Sequence, residues 1–173
     1  MTFLARVILI LALSTPTLAT AYGGGEGGGS SNSGLNASTT NKVARTLTRG
    51  VQACTKLQKV YRYDCYRDTY GLAAQQLSGN PAYARARAIL LEVEQALGRT
   101  IQRNIDPAQP QVRRGLRRYS AIKPAALPAA KRSFIASLDQ AETKLLRSSD
   151  TGGAHFERIA AAINTNKVLL RSA

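Results

Sequence analysis

The longest regular pattern in the chain is NPAYARARAILLEVEQALGRTIQRNI, at residues 80–105. Its apolar residues recur at intervals of three and four, which predicts an amphipathic α-helix and not a strand. These residues are Tyr83, Ala86, Leu90, Val93, Leu97 and Ile101. Asn80 is a suitable N-cap, and Pro81 fits the first position of a helix. We therefore expect one long helix over residues 80–105.

The same spacing continues on both sides of this helix, so the expected fold class is all-α, a bundle of about five helices. The expected members are a helical hairpin over residues 41–78, the long helix over 80–105, and helices over 128–148 and 153–171. The cluster of Ser, Asp, Thr and Gly at residues 148–153 is expected to be a loop.

Two cysteines, Cys54 and Cys65, lie eleven residues apart. On one continuous helix their Cα atoms would be about 16 Å apart, whereas a disulfide requires a separation below about 7 Å. An exported chain with two cysteines is expected to pair them. We therefore predict a disulfide and a sharp corner between the first two helices, near Tyr61–Asp64. The alternative is a pair of buried, unbridged thiols.

The first 40 residues are not expected to belong to the bundle. Residues 1–21 have the basic start, the apolar run VILILAL and the small-x-small ending of a secretory signal peptide. Residues 22–40 are rich in Gly, Ser and Asn, which is typical of a flexible tether. We therefore expect a single domain over residues 41–173 in an exported protein, located in a bacterial periplasm or outside the cell. No later segment is apolar enough to predict a transmembrane helix in the mature chain.

The charge of the chain is strongly positive and unevenly distributed. The sequence has 24 Lys and Arg against 10 Asp and Glu, a formal net charge of +14. Residues 22–63 contain six basic residues and one acidic residue, and residues 107–138 contain seven basic residues and none that is acidic. Elsewhere in the mature chain the charges nearly cancel. A partner of opposite charge is one explanation for such blocks, and a solvated surface is the other.

The densest basic cluster is RRGLRR at residues 113–118. It lies in residues 111–127, where Val112, Leu116 and Tyr119 could line a short helical piece that is interrupted by Gly115, Pro124 and the following Pro128. If this piece is helical, its arginines form two like-charged i,i+4 rows, which repel each other. An anionic ligand would offset that repulsion. The predicted anion-binding residues are Arg113, Arg114, Arg117, Arg118 and Lys123.

The sequence argues against most metal and haem chemistry. It has one His and neither a Cys-x-x-Cys-His nor a Glu-x-x-His motif. His155 is the single candidate imidazole, and we expect it to be exposed or to cap the last helix. We predict no catalytic residue, no metal ligand and no cofactor.

Two other clusters admit a functional and a structural interpretation. Asp64 with Asp68, and Asp139 with Glu142, could form the carboxylate pair of a glycoside hydrolase, but neighbouring bases explain them as ion pairs. A run of tyrosines at residues 61–70 could stack on bases or sugars, but packing at the corner of the hairpin is the favoured interpretation.

The sequence therefore supports one main hypothesis and two alternatives. The main hypothesis is an exported, non-enzymatic basic bundle whose arginine-rich segment binds an anionic polymer of the cell envelope or the extracellular space. The first alternative is a protein-interaction or chaperone-like subunit of an envelope complex, which would bind another exported protein. The second is a hydrolase that uses carboxylates.

Overall fold

Five α-helices build the part of the chain that the computed structural model describes, residues 34–172. They are α1 (Ala37–Cys54), α2 (Lys59–Gln75), α3 (Ala84–Asn104), α4 (Leu127–Leu146) and α5 (Ser149–Ser172). The all-α fold class is confirmed. The predicted signal peptide and the predicted tether up to residue 33 lie outside the described residues.

The buried positions follow the apolar spacing of the sequence. Val43, Leu47 and Val51 of α1 are fully buried, and the predicted apolar positions of α3 are all buried. Each helix packs against the next in the chain, and α5 packs back on α1, so the five helices close into a ring. Inside it, Tyr66 stacks on Phe134 at 5.3 Å between ring centroids.

Two helix ends are set by asparagine caps. The side chain of Asn36 accepts a hydrogen bond from the Thr39 amide at 2.8 Å, so α1 begins at Ala37 and residues 37–40 of the predicted tether are helical. Asn80 accepts in the same way from the amide of Ala82, at the start of a 3₁₀ turn over Pro81–Tyr83 that leads into α3. A capping side chain satisfies amides that have no partner within the helix.

The corner between α1 and α2 is closed by the predicted pair. Cys54 and Cys65 are bridged, with their Cα atoms 5.6 Å apart. The chain turns at residues 55–58, earlier than the predicted position at Tyr61–Asp64. Cys54 is therefore the last residue of α1, and Cys65 lies inside α2. A disulfide of this kind indicates an oxidising compartment.

The segment at 148–153, predicted as a loop, contains the first turn of α5. The helix is interrupted at Gly153, whose φ of 46° and ψ of −140° are not helical. Its regular part therefore follows Gly153, in agreement with the predicted start at residue 153.

Residues 111–127 contain no α-helical piece before α4, so that interpretation is wrong. Val112–Arg114 (β1) and Arg117–Tyr119 (β2) pair as antiparallel strands, and a 3₁₀ turn over Pro124–Ala126 leads into α4. Gly115 explains why the chain forms a hairpin here, because its φ of 59° fits the first central position of a two-residue hairpin turn. In residues 34–172 no helix is both long enough and apolar enough to cross a membrane.

Candidate anion-binding hairpin

The arginine cluster is a β-hairpin that carries four guanidinium groups. In its register Val112 faces Tyr119, Arg113 faces Arg118, and Arg114 faces Arg117. The four arginines are all exposed, and Leu116, beside Gly115 at the tip, is 92% exposed.

The register divides the arginines between two faces. Side chains alternate across a strand, and directly opposed residues share a face. The pair Arg114 and Arg117 therefore lies on the same face as Val112 and Tyr119. Tyr119 is buried, so this face is directed towards the helices.

The inner pair of arginines holds the hairpin on the bundle. Arg117 Nη1 donates to Asp68 Oδ1 at 2.8 Å, and Arg114 Nη1 donates to the carbonyl of Ala53 at 2.8 Å. That carbonyl lies in the last turn of α1, where the helix dipole favours a cation.

The outer pair is directed away from the helices. Arg113 Nε donates to the carbonyl of Gly115 at 2.9 Å, within the hairpin itself, and its terminal nitrogens make no hydrogen bond with residues 34–172. Arg118 makes no ion pair or side-chain hydrogen bond with any residue in that range. Two guanidinium groups on one face of a hairpin can make forked hydrogen bonds to phosphate, sulfate or carboxylate.

Lys123 does not belong to this hairpin. It lies three residues beyond Ser120, and its backbone amide donates to the carbonyl of Asn104 at 2.9 Å. Its side chain is exposed, immediately before the 3₁₀ turn that leads into α4. The structure therefore brings four of the five predicted anion-binding residues together and leaves Lys123 outside the paired strands.

A second basic feature continues from the hairpin. Lys42, Arg45 and Arg49 lie at i, i+3 and i+7 on α1, which places them on one helix face. The same helix ends where Arg114 of the hairpin docks on Ala53. From Lys42 to Ala53 the helix rises about 16 Å. The two basic blocks of the sequence therefore meet at the C-terminal end of α1.

The first carboxylate pair supports the hairpin. Asp64 accepts from Arg67 Nε at 2.8 Å and from the Ser120 amide at 2.8 Å. Burial raises the pKa of Asp68, and the positive charges of Arg117 and Arg67 partly oppose that increase. These contacts agree with the interpretation of the pair as ion-pair partners.

The second carboxylate pair binds a lysine. Lys167 Nζ donates to Asp139 Oδ1 at 2.8 Å and also to Glu142. Burial lowers the pKa of Lys167, but the hydrogen bonds that its ammonium donates to the two carboxylates, together with their negative charges, outweigh burial and raise this pKa overall. Each pair of acids is thus engaged by neighbouring bases.

The tyrosine run is part of the core. Tyr66 and Tyr70 are buried, and Tyr70 packs edge-on against Phe134 with 5.8 Å between centroids. Burial raises the pKa of Tyr70, whose hydroxyl accepts a hydrogen bond from Asn166 at 3.1 Å. This packing agrees with the favoured structural interpretation of the run.

His155 differs from the prediction of an exposed or capping residue. It is half-buried, and its Nδ1 lies 2.7 Å from Thr40 Oγ1, which also bonds to the Tyr83 hydroxyl at 2.7 Å. The three side chains link α5, α1 and the start of α3. Among the described residues, no group of three or more His, Cys, Asp or Glu side chains is arranged to hold a metal ion.

The fold and the site together define a ring of five helices, with a disulfide between the first two, that presents an exposed arginine hairpin. No protein-family model, curated protein or solved structure compared with the chain matches it.

Proposed function

We propose that this protein is exported and binds an anionic polymer of the cell envelope or the extracellular space, without catalysing a reaction. The observation that supports the proposal is the outward pair of Arg113 and Arg118, on a hairpin held in place by its inner arginines. The disulfide and the predicted signal peptide support export.

The basic face of α1 favours an extended polymer over a single small anion. It leads along about 16 Å of helix to Ala53, the residue that Arg114 of the hairpin contacts. A chain of phosphate, sulfate or uronate groups can contact both features at once, and each contact releases counterions.

Chromatography on immobilised heparin, used as a model polyanion, tests the proposal. A protein of this net charge is retained at low salt whatever its surface, so two variants of equal charge are compared. R113Q/R118Q removes the outward pair, and R87Q/R103Q removes two exposed arginines of α3. We expect the first variant to reduce the slope of the logarithm of the association constant against the logarithm of the salt concentration by about 2, since each lost contact with an anionic group contributes about 1. The α3 variant should leave the slope nearly unchanged. Equal slopes for R113Q/R118Q and R87Q/R103Q would contradict the proposal.

The protein-interaction alternative would use Leu116, which is 92% exposed. An exposed leucine at a hairpin tip could contact an apolar site on another exported protein. Binding to such a partner would survive physiological salt and would be lost in Leu116→Ser, whereas polyanion binding would not depend on Leu116.

A further inference from the structure

A cavity of about 400 Å³ lies between α2, α4 and α5, and it shares no residue with the hairpin. Its wall is mostly apolar and aromatic: Tyr63, Tyr66, Pro124, Leu127, Pro128 and Leu170. Its volume lies within the range of small-molecule sites, about 300–1,000 Å³.

The remaining lining residues are all basic. Lys59 and Arg62 come from α2, and Lys131 comes from α4. None of the nine described lining residues is acidic. The cavity also lies at the first residues of α2 and α4, whose first turns contain no acidic residue. The positive ends of two helix dipoles therefore add to the three cations.

The wall is held in place before any ligand binds. Tyr63 packs edge-on against Tyr66 at 5.8 Å, and Tyr66 stacks on Phe134. Arg62 Nε donates to the carbonyl of Leu57 at 2.9 Å, which leaves its terminal nitrogens available. Burial raises the pKa of Tyr63 to about 12, so its hydroxyl stays protonated at neutral pH.

We infer that this cavity binds a fatty-acid anion, a single alkyl chain that ends in a carboxylate. The apolar wall fits the chain, and Lys59, Arg62 and Lys131 fit the carboxylate. A neutral ligand would gain nothing from the three cations, and a cationic one would be repelled by them. The inference is independent of the hairpin and of the polymer proposed for it.

Isothermal titration of the protein with dodecanoate, below the concentration at which it forms micelles, tests the inference. We expect saturable binding at one site and no comparable binding of dodecyltrimethylammonium, which has the same chain and the opposite charge. Decanoate should bind roughly tenfold more weakly, because it buries two fewer methylene groups.

Variants locate the site. K59Q/K131Q should weaken dodecanoate binding roughly tenfold, the effect of losing a charged hydrogen bond. K42Q/K56Q removes the same charge from exposed lysines outside the cavity and should bind as the parent does. Leu127→Phe narrows the cavity and should weaken binding without any change in charge. Equal affinity for the two surfactants, equal effects of the two lysine variants, or parent-like binding by both K59Q/K131Q and Leu127→Phe would overturn the inference.

Discussion

Replacing Gly50 with alanine tests the close approach of α1 and α2 beside the disulfide. A Cβ atom at Gly50 would lie 2.4 Å from Thr69 Cγ2 and 2.9 Å from Thr69 Oγ1. Thr69 has little freedom to move, because it is buried, β-branched and bonded through its hydroxyl to the carbonyl of Cys65 at 3.0 Å.

Two opposing effects set the expected size of the change. Alanine is favoured over glycine inside a helix by about 1 kcal/mol, whereas overpacking a core costs about 1–3 kcal/mol. We therefore expect Gly50→Ala to lower the free energy of unfolding by about 1 kcal/mol. In a Thr69→Ala background both closest atoms are gone, and the same substitution should become neutral or stabilising. The coupling between the two positions should then be about 1–2 kcal/mol.

Urea unfolding followed by far-ultraviolet circular dichroism, on the parent, both single variants and the double variant, measures this coupling. Gly98→Ala is the matched control, because a Cβ there would lie 3.7 Å from Arg67 Cδ, an ordinary contact distance. It should stabilise the protein by about 1 kcal/mol. If Gly50→Ala stabilises as much as Gly98→Ala, and the coupling lies within about 0.5 kcal/mol of zero, the packing described here is incorrect.

Two further predictions concern stability. Replacing both cysteines with alanine should lower the free energy of unfolding by about 3 kcal/mol, because the bridge closes a loop with a sequence separation of 11; urea unfolding of C54A/C65A measures this, and a loss below about 1 kcal/mol would contradict it. The free energy of unfolding should also fall as the pH rises above about 10. The pKa values of Lys167 and of the buried tyrosines are raised in the folded state, so the folded state keeps protons that the unfolded state releases. Tyr63→Phe should make this decline in the free energy of unfolding shallower between pH 10 and 12, as measured by urea unfolding across that range. An unchanged slope would contradict the raised pKa of Tyr63.

The helices could be predicted from the sequence because each one buries a stripe with regular spacing. The apolar positions of α3 are visible in the residues themselves, and Asn80 and Pro81 mark its beginning. The corner was harder to locate, because residues 55–58 contain neither Gly nor Pro. Cysteine spacing requires a turn between Cys54 and Cys65 but does not fix its position.

The cavity could not be predicted, because its lining residues come from three helices and one turn. Lys59 and Arg62 are near neighbours in the sequence, but Lys131 is about seventy residues away. No local pattern connects them. The ring closure that brings α4 and α5 together with α2 depends on how the helices pack against each other. It cannot be deduced from the spacing of apolar residues within one helix.

The hairpin did leave a signal in the sequence. Val-Arg-Arg-Gly-Leu-Arg-Arg-Tyr is symmetric about Gly115 and Leu116, and a Gly at the first position of a two-residue loop favours a hairpin turn. A run of good helix formers concealed that signal, since arginine is favourable in helices.

The change from helix to hairpin alters what the arginines can do. A helix would project all four into overlapping rows, where they repel each other. The hairpin instead separates them into an inner pair and an outer pair. Arg117 binds Asp68, and Arg114 binds the end of α1. The contacts of this inner pair hold the hairpin on the helices and so fix the position of the outer pair, Arg113 and Arg118. Two outward arginines are a weak site for a single anion in salt. The proposed function therefore depends on Lys42, Arg45 and Arg49 of α1 as well, because a polymer with regularly spaced negative charges could contact more of these cations than a single anion can.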